Sequence, residues 1–208
     1  MTEETTTESE EISKKSILDK FQINGVMMLI WTIIYSLIGA GLVVLLSWPV
    51  IPKPYLMVDL FKFGLLPIIS IIAVAGAIRG PIAGFLTGFL GVVISDLLFY
   101  GAIVTMTLPA MAYGVLGFIV GLASYDFTNG RSLGKLSVLS AIGMVFTTLL
   151  IVVFGLMVEV YATMAAIGFV MLPLMTLGLP TAILLTPVLA RLWHFFIAKI
   201  MPSALVPR

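Results

Sequence analysis

The chain has 208 residues, of which 61% are hydrophobic and only 10% are charged, and it carries a formal net charge of +1. A soluble domain of this size could not bury so much apolar surface, so the composition predicts a polytopic membrane protein with an all-α fold. The near-neutral charge and the lack of a basic patch argue against a nucleic-acid partner. The absence of cysteine excludes disulfides and thiolate metal sites.

The two ends of the chain are predicted to lie outside the membrane domain. Residues 1–20 begin with a leader of Thr, Glu and Ser, a composition typical of a disordered cytoplasmic tail. Residues 12–21 alternate charged and apolar residues at helical spacing, which is typical of a helix on the membrane surface. Residues 202–208 form a C-terminal tail ending in LVPR, which looks like the remnant of a thrombin-cleaved tag. The six-helix membrane domain is therefore assigned to residues 21–201.

Six apolar runs come close to the roughly 20 residues that a helix needs to cross the hydrocarbon. They are residues 23–46, 60–78, 81–100, 108–124, 136–158 and 177–197. Residues 162–175 form a shorter apolar stretch, which predicts a short extra helix before the last span. Pro173, Gly178 and Pro180 predict a break in the backbone there, tolerated only where it is buried or lines a cavity. Three prolines within residues 49–58 predict a loop that folds back over the bundle.

The second and third runs are joined by only Arg79, Gly80 and a proline, so we expect them to be antiparallel neighbours. One side of the third run carries a row of glycines, namely Gly80, Gly84, Gly88 and Gly91. This small-xxx-small spacing lets another backbone approach closely. The third run is therefore expected to pack tightly against a neighbouring helix.

Basic residues in short loops indicate the orientation. With six spans, Lys53 and Lys62 would lie on one side of the membrane. The side that holds both termini would carry eight basic residues, namely Lys14, Lys15, Lys20, Arg79, Arg131, Lys135, Arg191 and Lys199. The positive-inside rule therefore predicts a multi-pass protein of the plasma membrane with both termini in the cytoplasm.

Under this topology, the rare ionisable residues of the outer half fall at one depth. They are Asp59, Lys62, Asp96 and Glu159, and the aromatic residues Trp48, Tyr100, Tyr113 and Tyr161 share that level. Charged groups within spans are costly and by default mark a site or a partner. Carboxylates and rings that face the exterior predict a pocket for a small polar or aromatic solute.

Other interpretations of these residues stay open. Asp59 and Lys62 are three residues apart and could form a local ion pair. Glu159 and Tyr161 could be ordinary interfacial residues. Asp96 lies about one turn inside the end of the third span and could be a structural partner of Lys62.

The sequence does not predict an enzyme. No HExxH, CxxC or GxSxG motif occurs, and the single histidine lies on the opposite side of the membrane from the outer acids. No P-loop motif occurs, so the chain is not expected to hydrolyse nucleotide itself. We expect neither a metal site nor a cofactor.

One segment is similar to a known family. The pattern D-L-F-K-F, L-P-I-I, R-G-P-I-A-G-F-L-T-G-F-L-G and S-D-L-L-F-Y-G, within residues 59–101, resembles the substrate-binding S components of energy-coupling factor (ECF) transporters. The likeness extends over residues 23–197 in size, number of spans, cytoplasmic termini and a proline-bearing last span. The resemblance implies a vitamin-like solute captured from outside under a cap formed by the first loop. It also implies a membrane coupling subunit and two cytoplasmic ATPases as partners.

The family usually presents an Ala-x-x-x-Ala-like patch in its first span to the coupling subunit. The nearest equivalent here is Ser36 with Ala40, in the outer half of that span. The ridge formed by Gly80, Gly84 and Gly88 could substitute for it, or could be internal packing. These five residues are the candidates for contact with a partner helix.

The leading hypothesis is a high-affinity binding subunit of an ECF-type ATP-driven importer. Three outer carboxylates against two lysines favour a cationic or neutral heteroaromatic solute, such as a thiamine-type molecule. Asp96 and Glu159 would accept hydrogen bonds from it, and Tyr100, Tyr113 and Trp48 would offer stacking or cation–π faces. One alternative is a free-standing, ion-coupled secondary transporter. Another is a noncatalytic assembly protein whose glycine ridges hold partner helices.

Overall fold

The structure is a computed structural model that describes residues 26–48, 55–58, 61–101, 107–157 and 163–200. Its elements, in chain order, are α1 (Val26–Ser47), β1 (Tyr55–Val58), β2 (Phe61–Gly64), α2 (Pro67–Arg79), α3 (Pro81–Tyr100), α4 (Thr107–Gly121), α5 (Gly130–Met157) and α6 (residues 163–200). The six helices confirm the predicted all-α membrane fold, and four of them, α1, α3, α5 and α6, are long and apolar enough to cross a bilayer. The predicted tails, residues 1–20 and 202–208, lie outside the described residues.

A short antiparallel β-hairpin precedes α2. β1 pairs with β2, and β2 packs against the Leu172–Pro180 part of α6. The second span was predicted to begin at residue 60, but α2 begins at Pro67. The prediction was wrong over residues 61–64, because Phe-Lys-Phe places apolar and charged side chains alternately, at the period of a strand.

α2 is short but central in the bundle. Its 13 residues rise about 20 Å, which is less than the roughly 30 Å of bilayer hydrocarbon. It nevertheless contacts each of the other five described helices, and Ile69, Ile72 and Ala73 are buried. Ile72 belongs to a core cluster to which α1, α4, α5 and α6 also contribute, through Val43, Leu116, Met144 and Ala182. The bundle is therefore built around α2.

α2 and α3 are joined by Gly80 alone, as the predicted helical hairpin requires. Gly80 has a φ of 95°, a conformation that a side chain would strain, and its N–H donates to Gly76 O at 2.8 Å. Pro81 then begins α3 at a position where a missing N–H costs nothing. α3 covers the predicted residues and ends at Gly101, whose φ is 68°.

The glycine ridge of α3 packs against α4 of the same chain. A Cβ atom added to Gly84 would overlap Gly117 O, and one added to Gly88 would overlap Tyr113 O. Gly117 in turn faces the backbone of Gly84, whereas Gly80 faces open space. Gly84 and Gly88 thus serve internal packing and leave no room for a helix of another subunit.

Ser36 and Ala40 also face the inside of the bundle. Each is 1% exposed, and Ser36 Oγ donates to Thr32 O at 2.7 Å and to Ala83 O at 3.4 Å. A Cβ atom added to Gly39 would meet Thr87 Cγ2 at 2.7 Å. This side of α1 is therefore occupied by α3, and α1 does not offer Ser36 and Ala40 to a partner helix.

α6 is one continuous helix. The segment that was predicted as a short extra helix is helical, and it continues into the last span, so the predicted break at residues 173–180 is wrong. Two π-helical segments, Ala166–Met171 and Thr181–Leu185, stand two residues before Pro173 and Pro187. Each π segment widens the helix by one residue, which relieves the clash between a proline ring and the preceding turn. The helix therefore passes through its prolines.

The second π segment fixes the start of α2. Thr181 Oγ1 accepts a hydrogen bond of 2.7 Å from Leu66 N and donates one of 2.6 Å to Leu177 O. Thr186 Oγ1 donates to Ser70 Oγ at 3.2 Å. These buried hydroxyls tie α6 to the first turn of α2, where an unpaired N–H would be costly.

Replacing Thr181 by valine is expected to lower the free energy of unfolding by about 1–2 kcal/mol, because the Leu66 N–H loses its acceptor. The measurement is equilibrium unfolding of the full chain in mixed micelles. Thr148→Val is the matched control, since the Thr148 hydroxyl is also buried but bonds only Met144 O of its own helix, at 3.0 Å. An equal loss of unfolding free energy in the two variants would contradict a stabilising hydrogen bond between α6 and the start of α2.

The loop before α5 is ordered by side-chain hydrogen bonds. The fifth span was predicted to begin at residue 136, but α5 begins at Gly130 because Asn129 Oδ1 accepts from Arg131 N at 3.0 Å and caps the helix. Asp126 Oδ1 accepts from the Thr128 hydroxyl at 2.6 Å and from Thr128 N at 2.9 Å. Both bonds lower the pKa of Asp126 below its usual value.

This carboxylate stabilises the fold above its unfolded pKa of about 3.9, and the contribution is lost as the pH falls through the lower folded pKa. Thr128→Val removes the hydroxyl donor and keeps the N–H, so we expect the pKa of Asp126 to rise part of the way back. Carboxyl carbon NMR titration of the protein in micelles measures this. Thr148→Val should leave the Asp126 titration unchanged, and an unchanged titration in Thr128→Val would contradict the assignment.

Candidate functional site

A cavity of about 210 Å³ lies between α1, α2, α3 and α4. Its lining residues are Ser47, Leu66, Ile68, Ile69, Val92, Ser95, Asp96, Phe99 and Tyr113. The walls are mostly apolar, with one acid and three hydroxyl groups among them. This is the usual composition of a pocket for a small organic ligand, in which a few polar groups orient a largely apolar guest.

Asp96 is the one charged residue among the described residues of the cavity wall. It is partly buried, and no hydrogen bond or ion pair to its carboxylate occurs among the residues that the structure describes. The hydroxyl groups of the two neighbouring serines already donate hydrogen bonds to backbone carbonyls. Ser95 Oγ donates to Gly91 O at 2.7 Å, and Ser47 Oγ donates to Val43 O at 2.8 Å. The carboxylate is thus left to accept hydrogen bonds from a guest.

Aromatic rings frame the same cavity. Phe99 lies one turn beyond Asp96, and its ring stands edge-on to Trp48 at a centroid distance of 5.5 Å. Tyr113 faces them from α4 and packs against the central core cluster. A flat or cationic guest would therefore meet aromatic faces beside a free carboxylate.

The packing of the helices brings these residues together. Gly88 lets α3 come into backbone contact with Tyr113, which sets the distance between α3 and α4 two turns before Asp96. A Cβ atom added to Gly91 would meet Val43 Cβ at 2.7 Å, so this glycine holds α1 close on the other side. The hydrogen bond from Leu66 N to Thr181 Oγ1 positions the remaining wall, which is formed by the start of α2. Each wall of the cavity is therefore fixed by a close backbone approach or a buried hydrogen bond.

The cationic side chains that the structure describes lie at one end of the bundle. α3 begins beside Arg79, and Asp96 lies about 22 Å further along its axis. Ile78, Tyr125 and Leu133 pack around one core cluster, which places Arg131 and Lys135 at the Arg79 end as well. Of the side chains that the structure describes, every cationic one lies at that end, so Asp96 faces its cavity without a described counter-ion.

The structure brings together three of the predicted solute-binding residues. Asp96 and Tyr113 line the cavity, and Trp48 contacts it through Phe99. Asp59, Glu159 and Tyr161 lie outside the described residues. Lys62 lies in β2 and Tyr100 ends α3, and their side chains fall outside the described part.

Sequence reasoning missed Ser47, Ser95 and Phe99. The two serines stand next to Trp48 and Asp96 in otherwise apolar helices, and this adjacency was the available signal. No group of three or more His, Cys, Asp or Glu side chains that could hold a metal ion occurs in the described ranges. Comparisons of the chain with protein-family models, with curated proteins and with solved structures give no match.

Proposed function

We propose that the chain is a membrane-embedded binding subunit that captures a small cationic heteroaromatic solute in the Asp96 cavity. The observation that carries the proposal is the Asp96 carboxylate, which lines a cavity beside aromatic rings and has no described partner. A charged group within a span marks a functional site by default. A cation would supply the missing counter-charge.

The size of the cavity limits the solute. Its volume of about 210 Å³ is below the roughly 300–1,000 Å³ of pockets for drug-sized ligands. A single substituted ring fits this volume better than a two-ring molecule of the thiamine type. The solute class is therefore a pyridinium or a protonated aminopyrimidine.

The position of the basic residues supports an outward-facing cavity. Basic residues of short loops prefer the cytoplasmic side, so the Arg79 end would face the cytoplasm and the Asp96 end the exterior. The resemblance of residues 59–101 to S components of ECF transporters supports capture for import. In that role a membrane coupling subunit and cytoplasmic ATPases would drive release to the inside.

Equilibrium dialysis of the purified full chain with three matched probes tests the proposal. 1-Methylnicotinamide is a permanent cation, nicotinamide is its neutral analogue and nicotinate is an anion, and all three have one ring of similar size. We expect binding to weaken in that order, by about tenfold for the loss of the positive ring charge opposite the Asp96 carboxylate. Equal binding of all three probes, or tightest binding of nicotinate, would overturn the assignment.

Liposomes that contain the chain alone separate the binding subunit from an ion-coupled transporter. The proposal predicts that they bind 1-methylnicotinamide without accumulating it. Accumulation that an ionophore abolishes would instead show a secondary transporter and would overturn the binding-subunit role.

A further inference from the structure

A second, larger cavity lies on another side of the bundle, between α1, α2 and α6. It has a volume of about 440 Å³ and is lined almost entirely by aliphatic and aromatic side chains. Along α2 it runs from Pro67 to Ile78, and along α1 from Leu46 to Tyr35. This apolar groove therefore follows the helices and ends beside Arg79.

The dimensions of the groove match one hydrocarbon chain. Eleven helical steps from Pro67 to Ile78 span about 17 Å, close to half of the roughly 30 Å hydrocarbon core of a bilayer. The 440 Å³ spread over this length gives a mean cross-section of about 26 Å², whereas a helix about 10 Å across would need about 80 Å². The groove is as long as one leaflet is thick, and its mean cross-section matches one acyl chain better than a whole helix.

Unsatisfied hydrogen-bond donors cluster at the Arg79 end of the groove. Arg79 Cζ lies 5.8 Å from the centroid of the Tyr35 ring, and the Trp193 ring lies 6.4 Å from the same centroid. Arg79 Nε and Trp193 Nε1 are both buried and have no hydrogen-bond partner within the part of the chain that the structure describes. A guanidinium and an indole N–H can only donate, so the group that completes this end must be an acceptor, and an anion by charge.

We propose that the groove binds an anionic phospholipid of the leaflet at the Arg79 end. One acyl chain fills the groove from Ile78 to Pro67, and the phosphate accepts hydrogen bonds from Arg79 and Trp193. Basic pockets between transmembrane helices are known sites for anionic headgroups, and guanidinium groups pair with phosphate in a bidentate manner. This lipid site goes beyond the proposed solute site and does not rest on it.

The test is lipid binding by the delipidated full chain, measured by native mass spectrometry. The probes are phosphatidylglycerol and phosphatidylcholine with the same palmitoyl and oleoyl chains. We expect one phosphatidylglycerol per chain, with a preference over phosphatidylcholine of about tenfold, because the choline ammonium cancels the net negative charge of the headgroup beside Arg79. Equal retention of the two lipids would overturn the proposal.

Substitutions at the Arg79 end of the groove test where the lipid headgroup binds. Arg79→Gln should abolish the preference, Arg79→Lys should keep most of it, and Trp193→Phe should weaken phosphatidylglycerol binding about threefold, as a neutral hydrogen bond would. Arg131→Gln is the matched control, because Arg131 is exposed at the same end. If Arg131→Gln lowered the preference as much as Arg79→Gln, the attraction would be general to that surface and the site would be refuted.

Two further arms test the acyl chain and the independence of the site. Ala75→Phe places a ring in the groove and should remove both lipids, whereas glycerol phosphate alone should not bind. Binding of glycerol phosphate without chains, or a co-purifying protein in place of lipid, would overturn the lipid assignment. Asp96→Asn should leave lipid binding unchanged, so failure of the solute site and failure of the lipid site are distinguishable.

Discussion

Replacing Gly84 by alanine is expected to lower the free energy of unfolding by at least about 2–3 kcal/mol, the upper range for overpacking. The added methyl group would overlap the backbone of Gly117, which cannot move aside as a flexible side chain could. α3 and α4 would have to separate, and they carry Asp96 and Tyr113. Equilibrium unfolding in mixed micelles measures the loss.

Gly41→Ala is the matched control for this experiment. Gly41 also lies within a membrane helix, but nothing is within 4 Å of an added Cβ atom. We expect no loss there, and a gain of up to about 1 kcal/mol from the better helix propensity of alanine. If the two alanine variants were equally stable, the backbone contact between α3 and α4 would be refuted.

Asp96→Asn is expected to weaken binding of 1-methylnicotinamide by about 10–100-fold, which corresponds to the loss of a close ion pair between the carboxylate and the ring cation. Asparagine keeps the shape of the side chain and loses the charge. Binding of the neutral nicotinamide should therefore change much less. Because no described group pairs with the Asp96 carboxylate, the variant should also fold as stably as the parent.

Asp126→Asn makes the same substitution at the Arg79 end of the bundle. Asp126 is exposed and its carboxylate accepts hydrogen bonds from Thr128 of the same loop, so cation affinity should stay the same. Equal weakening in Asp126→Asn and Asp96→Asn would show a general charge effect. An unchanged affinity in Asp96→Asn would remove that residue from the site.

Local signals in the sequence predict the helical hairpin well. α3 covers the predicted residues because Pro81 begins it and Gly101 ends it, and both residues act within their own turn. Counting about 20 apolar residues per membrane span gives the wrong start for α2, since the β-hairpin that precedes it is as apolar as a helix. This count fails again for α6, where π segments carry the helix past its prolines.

The direction in which small residues face is harder to predict. Ser36, Ala40, Gly84 and Gly88 have the spacing of a helix–helix contact, but spacing does not say which helix fills the notch. In the fold, α3 covers the first two and α4 covers the last two. A notch for an internal neighbour and a notch for a partner subunit have the same sequence pattern.

The candidate site was predictable where a residue is energetically costly to place in a membrane span. Asp96 stands out in an apolar span because burying a carboxylate is expensive, and the fold gives it a cavity and aromatic neighbours. Phe99 could not be singled out, since a phenylalanine in a membrane helix is ordinary. The groove beside Arg79 could likewise not be predicted from the sequence, because it depends on how α1, α2 and α6 diverge.

Native mass spectrometry of the full chain with 1-methylnicotinamide tests the central claim most directly. If the Asp96 carboxylate and its aromatic neighbours form a cation site, each parent chain carries one probe molecule, and the Asp96→Asn chain needs a probe concentration about 10–100-fold higher for the same occupancy. A parent chain that stays empty, or an Asp96→Asn chain that binds the probe as tightly as the parent, would contradict the account.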